Sequence, residues 1–450
     1  MNDLRIFMKL AMVTLLMMVH GWNPTHAQII EREHWDIRAT IEWESAYRTT
    51  ESDFQKTEWL ALPELNADLP FNTRLRGIGR LRADAFDELE PGQPPQHELG
   101  DLNKKTYIGD HLNVELRELF IDLYVGPVFV KAGKQQIVWG KTDGLKLLDV
   151  INPQNFREFV LDDFEDSRIP LWSLLAEVPA GEIMVQAVWI PDRSYHKLPA
   201  RGADFRFRAP EFAIGLPDGF QATINSVERP GDFIKDSDVG LRLSTFWKGW
   251  DLTLNYLYHY YDIPVVTRSI QIEPARQVVI DQKYRRSHLA GFTFSNAFGN
   301  VTLHGETAFS VDRYFRTKTL SDSDGTKKSN TLDYAIGLDW FGFDDMLVSV
   351  QLFQNWILRD QVESLFRERV DTRATLLVER TFMNELLEIE MLAVAGINEA
   401  DGFIQSKVIY EWKSNVNIWA GFDGFWGDRE DLIGQFNRQD RILWGMEIGL

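Results

Sequence analysis

The strongest constraint on the fold is a two-residue alternation of apolar and polar side chains along segments of about ten residues. In segment 251–261 the leucines and tyrosines at even positions alternate with mostly polar side chains at odd positions. The same pattern returns in segments 331–341 and 386–397. Because side chains of a β-strand point alternately to its two faces, each segment is predicted to be a strand with one apolar face.

Three further features favour a membrane barrel over a soluble sandwich. The segments are longer than ordinary globular strands, their apolar faces often end in Tyr or Trp, and the connections alternate in length. Tight connections, interpreted as periplasmic turns, occur at 125–127, 179–181, 247–250, 296–300, 342–345, 383–385 and 413–415. Longer polar connections, interpreted as extracellular loops, occupy 140–170, 191–238, 262–284, 313–330, 357–372 and 427–440.

The predicted fold class is therefore all-β, a transmembrane antiparallel up-and-down β-barrel. Both ends of a bacterial barrel normally face the periplasm, so the number of strands should be even. When segment 54–65 is interpreted as a strand, the count reaches about 18 strands, with 16 as the alternative.

The first residues predict export. Arg5 and Lys9 flank the short apolar run 10–19, and the small-residue ending 25–27 follows, which is typical of a secretory signal peptide. We expect residues 1–27 to be removed. Residues 28–450 are then expected to form a single barrel in the outer membrane of a Gram-negative bacterium, with an inward-folding loop 140–170 and a long loop 191–238.

Composition argues against several classes of function. A formal net charge of −19 makes nucleic acid an improbable partner, and the absence of cysteine excludes disulfides and thiolate metal ligands. His259 and His304 are scattered, and His304 with Glu306 is a single pair, whereas a zinc site needs three or four ligands. No serine-hydrolase elbow, metalloprotease helix or phosphate loop is present. We therefore expect no metal, no cofactor and no enzymatic activity.

A ladder of arginines lies on one face of segment 73–85. It consists of Arg74, Arg76, Arg80 and Arg82. Each arginine would cost roughly 2 to 4 kcal/mol at the middle of a lipid face, so this face should line the lumen. Two interpretations stay open: the ladder attracts anions, or it pairs with lumen carboxylates such as Glu42 and Glu44 and braces the wall.

Loop 140–170 is too long to be an idle turn and contains many apolar side chains, so it should fold inward and pack. Its charged and polar residues would then form a constriction opposite the arginine ladder. The candidates are Lys141, Asp143, Asp149, Asn152, Arg157, Asp162, Asp163 and Arg168. The alternative is a cap over the barrel mouth, with solvated acids that bind divalent cations bridged to lipopolysaccharide.

On segment 128–139 the apolar side chains change face part of the way along. We interpret the change as a β-bulge at Gly133, which would aim Lys134 and Gln136 into the pore.

Residues 113–193 carry several short motifs in a fixed order. They include Arg117-Glu118-Leu119-Phe120, Gly133-Lys134-Gln135-Gln136, Trp139-Gly140-Lys141-Thr142-Asp143-Gly144, Asp149-Val150-Ile151-Asn152-Pro153, Arg168-Ile169-Pro170 and Trp189-Ile190-Pro191-Asp192. In these motifs the chain resembles a family of bacterial outer-membrane proteins known only as a domain of unknown function. The resemblance implies a porin-like barrel, sometimes encoded beside inner-membrane exporters of the resistance-nodulation-division type, and it implies no catalytic residues.

The last ten residues alternate again, and Gly445, Ile448 and Leu450 resemble the terminal signal that outer-membrane proteins present to the barrel-insertion machinery. Outer-membrane lipids and lipopolysaccharide are the other expected partners. The predicted function is a porin-like channel, or an exit duct, for small or amphipathic solutes. The alternatives are a closed structural or lipopolysaccharide-anchoring barrel and an outer-membrane hydrolase.

Overall fold

The computed structural model describes residues 35–212, 219–271, 276–319, 322, 324–343, 345–359 and 362–450. The expected signal peptide, residues 1–27, lies outside these ranges. No helix in the described part of the chain is long and apolar enough to cross a membrane.

The fold is a closed antiparallel β-barrel of 18 strands, which confirms the predicted class and count. The wall strands are β1 (Trp35–Arg48), β2 (Asp53–Leu69), β3 (Thr73–Asp84), β5 (Leu112–Val125), β6 (Val128–Gln135), β7 (Leu171–Ala180), β8 (Ile183–Ile190), β10 (Asp238–Trp247), β11 (Trp250–Tyr260), β14 (Arg286–Phe298), β15 (Val301–Arg316), β16 (Thr326–Trp340), β17 (Met346–Ile357), β18 (Val370–Phe382), β19 (Leu387–Gly396), β20 (Gly402–Lys413), β21 (Val416–Trp426) and β22 (Arg441–Gly449). The short strands β4 (Thr106–Ile108), β9 (Gln221–Ile224), β12 (Val265–Gln271) and β13 (Gln277–Lys283) lie in the long connections. The segment 54–65 that decided the strand count lies within β2.

The alternation seen in the sequence separates a lipid face from a lumen face. On β11, Leu254 is 56% exposed at the outer surface, whereas its neighbours Thr253 and Asn255 are buried inside the barrel. Large aromatic side chains, among them Trp247 and Trp412, are exposed at the ends of the tight turns. An exposed apolar band bordered by aromatic residues is the surface that a bilayer requires.

The predicted bulge at Gly133 is wrong. Strand β6 pairs with β5 and β7 through Gly133 without a change of register. The shift lies one strand away, where β5 pairs with β3 and Arg117 has no partner residue. Gly133 serves a different purpose: a Cβ atom there would lie 2.2 Å from the carbonyl oxygen of Leu119, so only glycine permits this close approach of backbones.

The barrel closes where the first and last strands meet, which we call the seam. Strand β1 pairs with β2 on one side and with β22 on the other. Leu450 continues this pairing beyond β22, since its N–H donates to the carbonyl of Ala39 at 2.8 Å and its carbonyl accepts the N–H of Ala39 at 3.2 Å. The last residue of the chain therefore takes part in closing the wall.

Candidate functional site

The segment between β6 and β7, residues 136–170, leaves the wall and crosses the interior of the barrel; we call it the lumen loop. Its tip reaches the far wall, where the Asp143 N–H donates to Gln351 of β17 at 3.3 Å and the Gln351 amide donates back to the Asp143 carboxylate at 2.8 Å. Lys141 forms an ion pair with Asp251 of β11. The loop thus divides the lumen.

Three potential metal ligands meet beside this tip. In the described part of the chain, the ligand atoms of Asp143, His304 and Asp339 lie within 4.8 Å of one another, and they form the one such group found there. Nε2 of His304 is 3.1 Å from Oδ1 of Asp339. Sequence reasoning considered His304 only with Glu306, whose carboxylate instead accepts the Thr142 hydroxyl at 2.7 Å. These residues could hold a divalent cation, but their own hydrogen bonds already account for the arrangement.

One side of the loop is fixed by hydrophobic packing, which we call the apolar anchor. Ile137, Trp139, Leu148 and Ile151 pack against inward-facing side chains of β7, β8, β11, β14 and β15. Leu148 is fully buried. Glycines on the wall make room, because a Cβ at Gly291 would lie 2.5 Å from Leu148.

A second hydrophobic cluster forms where the loop meets other connections. Phe159 and Leu161 pack with Phe205 of the long loop after β8 and with Phe403 and Phe436 on and near the last strands. Gln405 of β20 donates to the carbonyl of Leu161 at 2.9 Å. The long connections therefore share one core with the lumen loop.

The opposite side of the loop is fixed by buried charges, which we call the ionic anchor. Arg157 donates to Glu58 of β2 at 2.5 Å, while Glu158 accepts hydrogen bonds from Lys56 of β2 at 2.8 Å and from Arg441 of β22 at 2.7 Å. Burial opposes ionisation of Glu158, but the charges of Lys56, Arg441 and Arg157 outweigh it and hold the pKa of Glu158 well below its usual range. The anchor therefore joins strands on both sides of the seam.

Each member of the arginine ladder faces a carboxylate. Arg74 lies 3.2 Å from Asp68 and Arg76 lies 3.2 Å from Glu64, while Arg80 pairs with Glu115 and Arg82 lies 3.1 Å from Glu58. These partners sit on the neighbouring strands β2 and β5.

Exposure changes along the ladder. The side chains of Arg74 and Arg76 are 79% and 42% exposed, whereas those of Arg80 and Arg82 are 7% and 12% exposed. Glu44, named as a partner in the bracing interpretation, instead pairs with Lys56 at 2.7 Å. The ladder therefore has an exposed half, Arg74 and Arg76, and a buried half, Arg80 and Arg82.

Lys134 and Gln136 lie at the base of the lumen loop. The Lys134 ammonium donates to the carbonyl of Leu116 at 2.7 Å, and the Gln136 amide donates to Glu118 at 3.1 Å. Lys134 borders a polar cavity of only about 30 Å³. Both side chains are occupied by contacts with the wall.

Most of the remaining loop residues hold the loop together. Arg168 donates to Asp149 at 2.8 Å, and Asn152 links the start and end of the loop through backbone contacts of 2.7 and 2.9 Å. Burial and the neighbouring Glu158 raise the pKa of Asp162 to about 7, while Asp163 is exposed. The structure therefore gathers the predicted residues in the lumen, but commits many of them to internal contacts.

Sequence reasoning missed charges in other connections. Glu90, in the long connection between β3 and β5, pairs with both Lys105 and Lys197. Asp204 accepts a hydrogen bond from Arg48 of β1 at 2.6 Å. These partners are far apart in sequence and follow no periodic pattern, so no pattern in the sequence indicated that they would meet.

Among the described residues, two of the cavities have a volume of about 420 Å³ each. The inner cavity lies between the lumen loop and the wall from β11 to β18, and the outer cavity lies among the long connections. His196 borders both, and the adjoining loop residues Asn155 and Phe156 border one cavity each. The two cavities therefore adjoin at His196.

Comparison with solved structures shows the same fold. The outer membrane protein OpdK from Pseudomonas aeruginosa matches with a TM-score of 0.52 at 12% sequence identity, over 93% of this chain and 99% of that one. OpdK from the same organism, solved with vanillate, matches with a TM-score of 0.51 at 12% identity over the same shares. P. aeruginosa OccK2 (OpdF), solved in complex with glucuronate, matches with a TM-score of 0.52 at 10% identity, over 93% of this chain and 98% of that one.

A search of curated protein sequences finds no match. A family model described as "Protein of unknown function (DUF1302)" matches residues 83–389. Because this match spans more than half of the chain, the protein belongs to the DUF1302 family.

Proposed function

We propose that the protein is a porin-like channel of the outer membrane, which passes small organic solutes through a lumen narrowed by the lumen loop. The observation that carries the proposal is the pair of adjoining cavities, which share His196, while Asn155 borders the outer cavity and Phe156 borders the inner one. Loops that line lumens position the groups that select a solute, and the remaining space fits molecules of modest size. Barrels of this fold have been solved with vanillate and with glucuronate, which is consistent with such solutes.

The proposal also covers the surroundings of the barrel. Outer-membrane lipids and lipopolysaccharide would contact the exposed apolar band, and the insertion machinery would recognise the last strand with Gly445, Ile448 and Leu450. A role as the exit duct of an inner-membrane exporter rests on the family resemblance alone. No catalysis is assigned.

Conductance of the refolded barrel in a planar bilayer tests the proposal. Phe156 borders the inner cavity, and its ring lies 5.2 Å from that of His196, which borders both cavities. Phe156→Ala should raise the single-channel conductance, because it removes a large side chain close to His196, where the two cavities adjoin. Phe246→Ala, at a site that is 72% exposed beside a periplasmic turn, is the matched control and should leave conductance unchanged.

Folding of each variant is verified by heat-modifiable migration in detergent gels. Absence of conductance in the folded wild type and in folded Phe156→Ala would favour the closed structural barrel and end the channel proposal.

A further inference from the structure

The inner cavity is lined on the loop side by apolar side chains. Those contributed by the lumen loop include Leu145, Leu147, Val150, Phe156, Val160 and Phe164. On the wall side, Phe353 of β17 adds another ring. A ligand that enters this space would exchange water for hydrocarbon over much of its surface, which favours a ligand with an apolar body.

The positive charges that border this cavity are already occupied. Arg373 donates to three carboxylates, at 3.2 Å to Asp371, 3.2 Å to Glu399 and 3.0 Å to Asp401. A guanidinium surrounded in this way has little attraction left for the carboxylate of a ligand.

Lys146 and Arg313 are the other two cations among the described residues of the lining, and they are also held by the protein. The Lys146 ammonium donates to the Ser167 hydroxyl at 2.9 Å. Arg313 contacts the Tyr261 hydroxyl and lies 3.9 Å from Asp333. A buried carboxylate without a cationic partner is strongly disfavoured, so an anionic ligand would fit this cavity poorly.

His196 offers a hydrogen-bond donor to this cavity. Nδ1 of His196 accepts the N–H of Gln154 at 2.9 Å, so the ring proton resides on Nε2. Burial, together with the nearby Lys146 and His259, lowers the pKa of His196 to about 3, which keeps the ring neutral at physiological pH. The Nε2–H has no partner among the described residues and His196 borders the cavity.

We propose that the inner cavity is a binding site for an uncharged ring compound, whose hydroxyl or carbonyl oxygen accepts a hydrogen bond from Nε2 of His196, and that it discriminates against carboxylates. The proposal rests on the proposed function, because it assigns the class of solute that the channel passes. It separates this barrel from OpdK and OccK2, whose reported ligands, vanillate and glucuronate, are carboxylates.

Equilibrium binding to the full barrel in lipid nanodiscs tests the proposal, with empty nanodiscs as the background. The probes are 2-naphthol and 2-naphthoate, which share a ring skeleton and differ in charge at pH 7. The neutral probe should bind at least about tenfold more tightly, because a buried unpaired carboxylate is so costly. Equal or tighter binding of 2-naphthoate would overturn the proposal.

Two variants locate the site. Leu147→Gln should weaken 2-naphthol binding about fivefold or more by placing a polar group in the apolar lining, while Leu102→Gln, at an exposed leucine outside the barrel wall, should not change it. His196→Leu should abolish any preference for 2-naphthol over naphthalene. Unchanged binding in folded Leu147→Gln, or an unchanged preference in folded His196→Leu, would show that the probe binds elsewhere.

This assay needs no ion flow, so its result is independent of conductance. A barrel that binds 2-naphthol but never conducts would contradict the channel and leave the binding site standing. A conducting barrel that fails to prefer 2-naphthol would contradict the binding site and leave the channel standing.

Discussion

The ionic anchor and the apolar anchor fix the same loop to opposite walls by different physics. At the ionic anchor, Glu158 is the carboxylate that Lys56, Arg157 and Arg441 share in one buried place, so its removal takes a balancing charge from all three cations. At the apolar anchor, Leu148 shares its contacts with many neighbours and no single partner is essential. Loss of one charged side chain should therefore destabilise the ionic anchor strongly, whereas the apolar anchor should weaken gradually as side-chain contacts are lost. The contributions of the two anchors to stability should also respond differently to pH.

The largest effect is expected from the ionic anchor. Glu158→Ala should lower the free energy of unfolding by about 3 to 5 kcal/mol, because Lys56 and Arg441 lose the buried carboxylate that they share and keep only Glu44 and Asp423, respectively. Urea unfolding in detergent, followed by heat-modifiable migration, measures the change. Glu165→Ala, at an exposed position in the same loop, is the control. A loss within about 1 kcal/mol of that control would mean that the anchor is not a buried charge cluster.

The apolar anchor should follow closely. Leu148→Ala should cost about 2 to 5 kcal/mol, with values near the lower end if neighbouring side chains relax into the space. The same unfolding measurement applies, and Leu102→Ala at an exposed site is the matched control. An effect as small as that of the control would indicate that the loop does not pack on this wall.

Acid should distinguish the anchors. The pKa of Glu158 is lowered in the folded protein. Its contribution to stability is therefore fully present above the pKa of the unfolded chain, about 4.3, and is lost as the pH falls through the pKa of the folded protein. The difference in unfolding free energy between wild type and Glu158→Ala should therefore shrink below about pH 4. The difference for Leu148→Ala should stay nearly constant. Parallel pH profiles for the two variants would contradict the assignment of charge to one anchor only.

The smallest effect on stability is expected in the exposed half of the arginine ladder. Replacing Arg74 and Arg76 with Ser should change the unfolding free energy by less than about 1 kcal/mol, because exposed ion pairs contribute little. Yet it should shift the reversal potential of the channel toward cations, since these two charges face the lumen.

The matched double change at Arg80 and Arg82 should do the reverse. Both side chains are buried in ion pairs, so their loss should mainly destabilise the barrel. A well-folded Arg74 and Arg76 double variant with an unchanged reversal potential would remove the ladder from any account of selectivity.

The sequence predicted what depends on local pattern. Alternation along each strand identified the lipid face, as at Leu254, and the apolar side chains of the lumen loop marked it as a packed segment. The sequence did not predict contacts between segments that are far apart along the chain. The partners proposed for the arginines were Glu42 and Glu44, whereas the observed partners include Glu64 and Glu115, because strand register decides which charges meet.

The same limit explains the misplaced bulge. The change of face along segment 128–139 was visible, but strand β6 ends at Gln135, and Ile137 and Trp139 beyond it belong to the lumen loop and pack in the apolar anchor. The charges on the connections after β3 and β8, such as Glu90 and Lys197, meet only after the barrel has brought those connections together.

The ionic anchor has a consequence for how the barrel closes. Glu158 binds Lys56 on one side of the seam and Arg441 on the other, with β1 between the two strands. A wall that closed while the loop was still outside would bring these two cations together with one fewer carboxylate to separate them. Closure and the seating of the loop therefore favour each other thermodynamically. The loop thus stabilises the closed wall from inside, and a barrel that lacks its constriction also has a weakened seam.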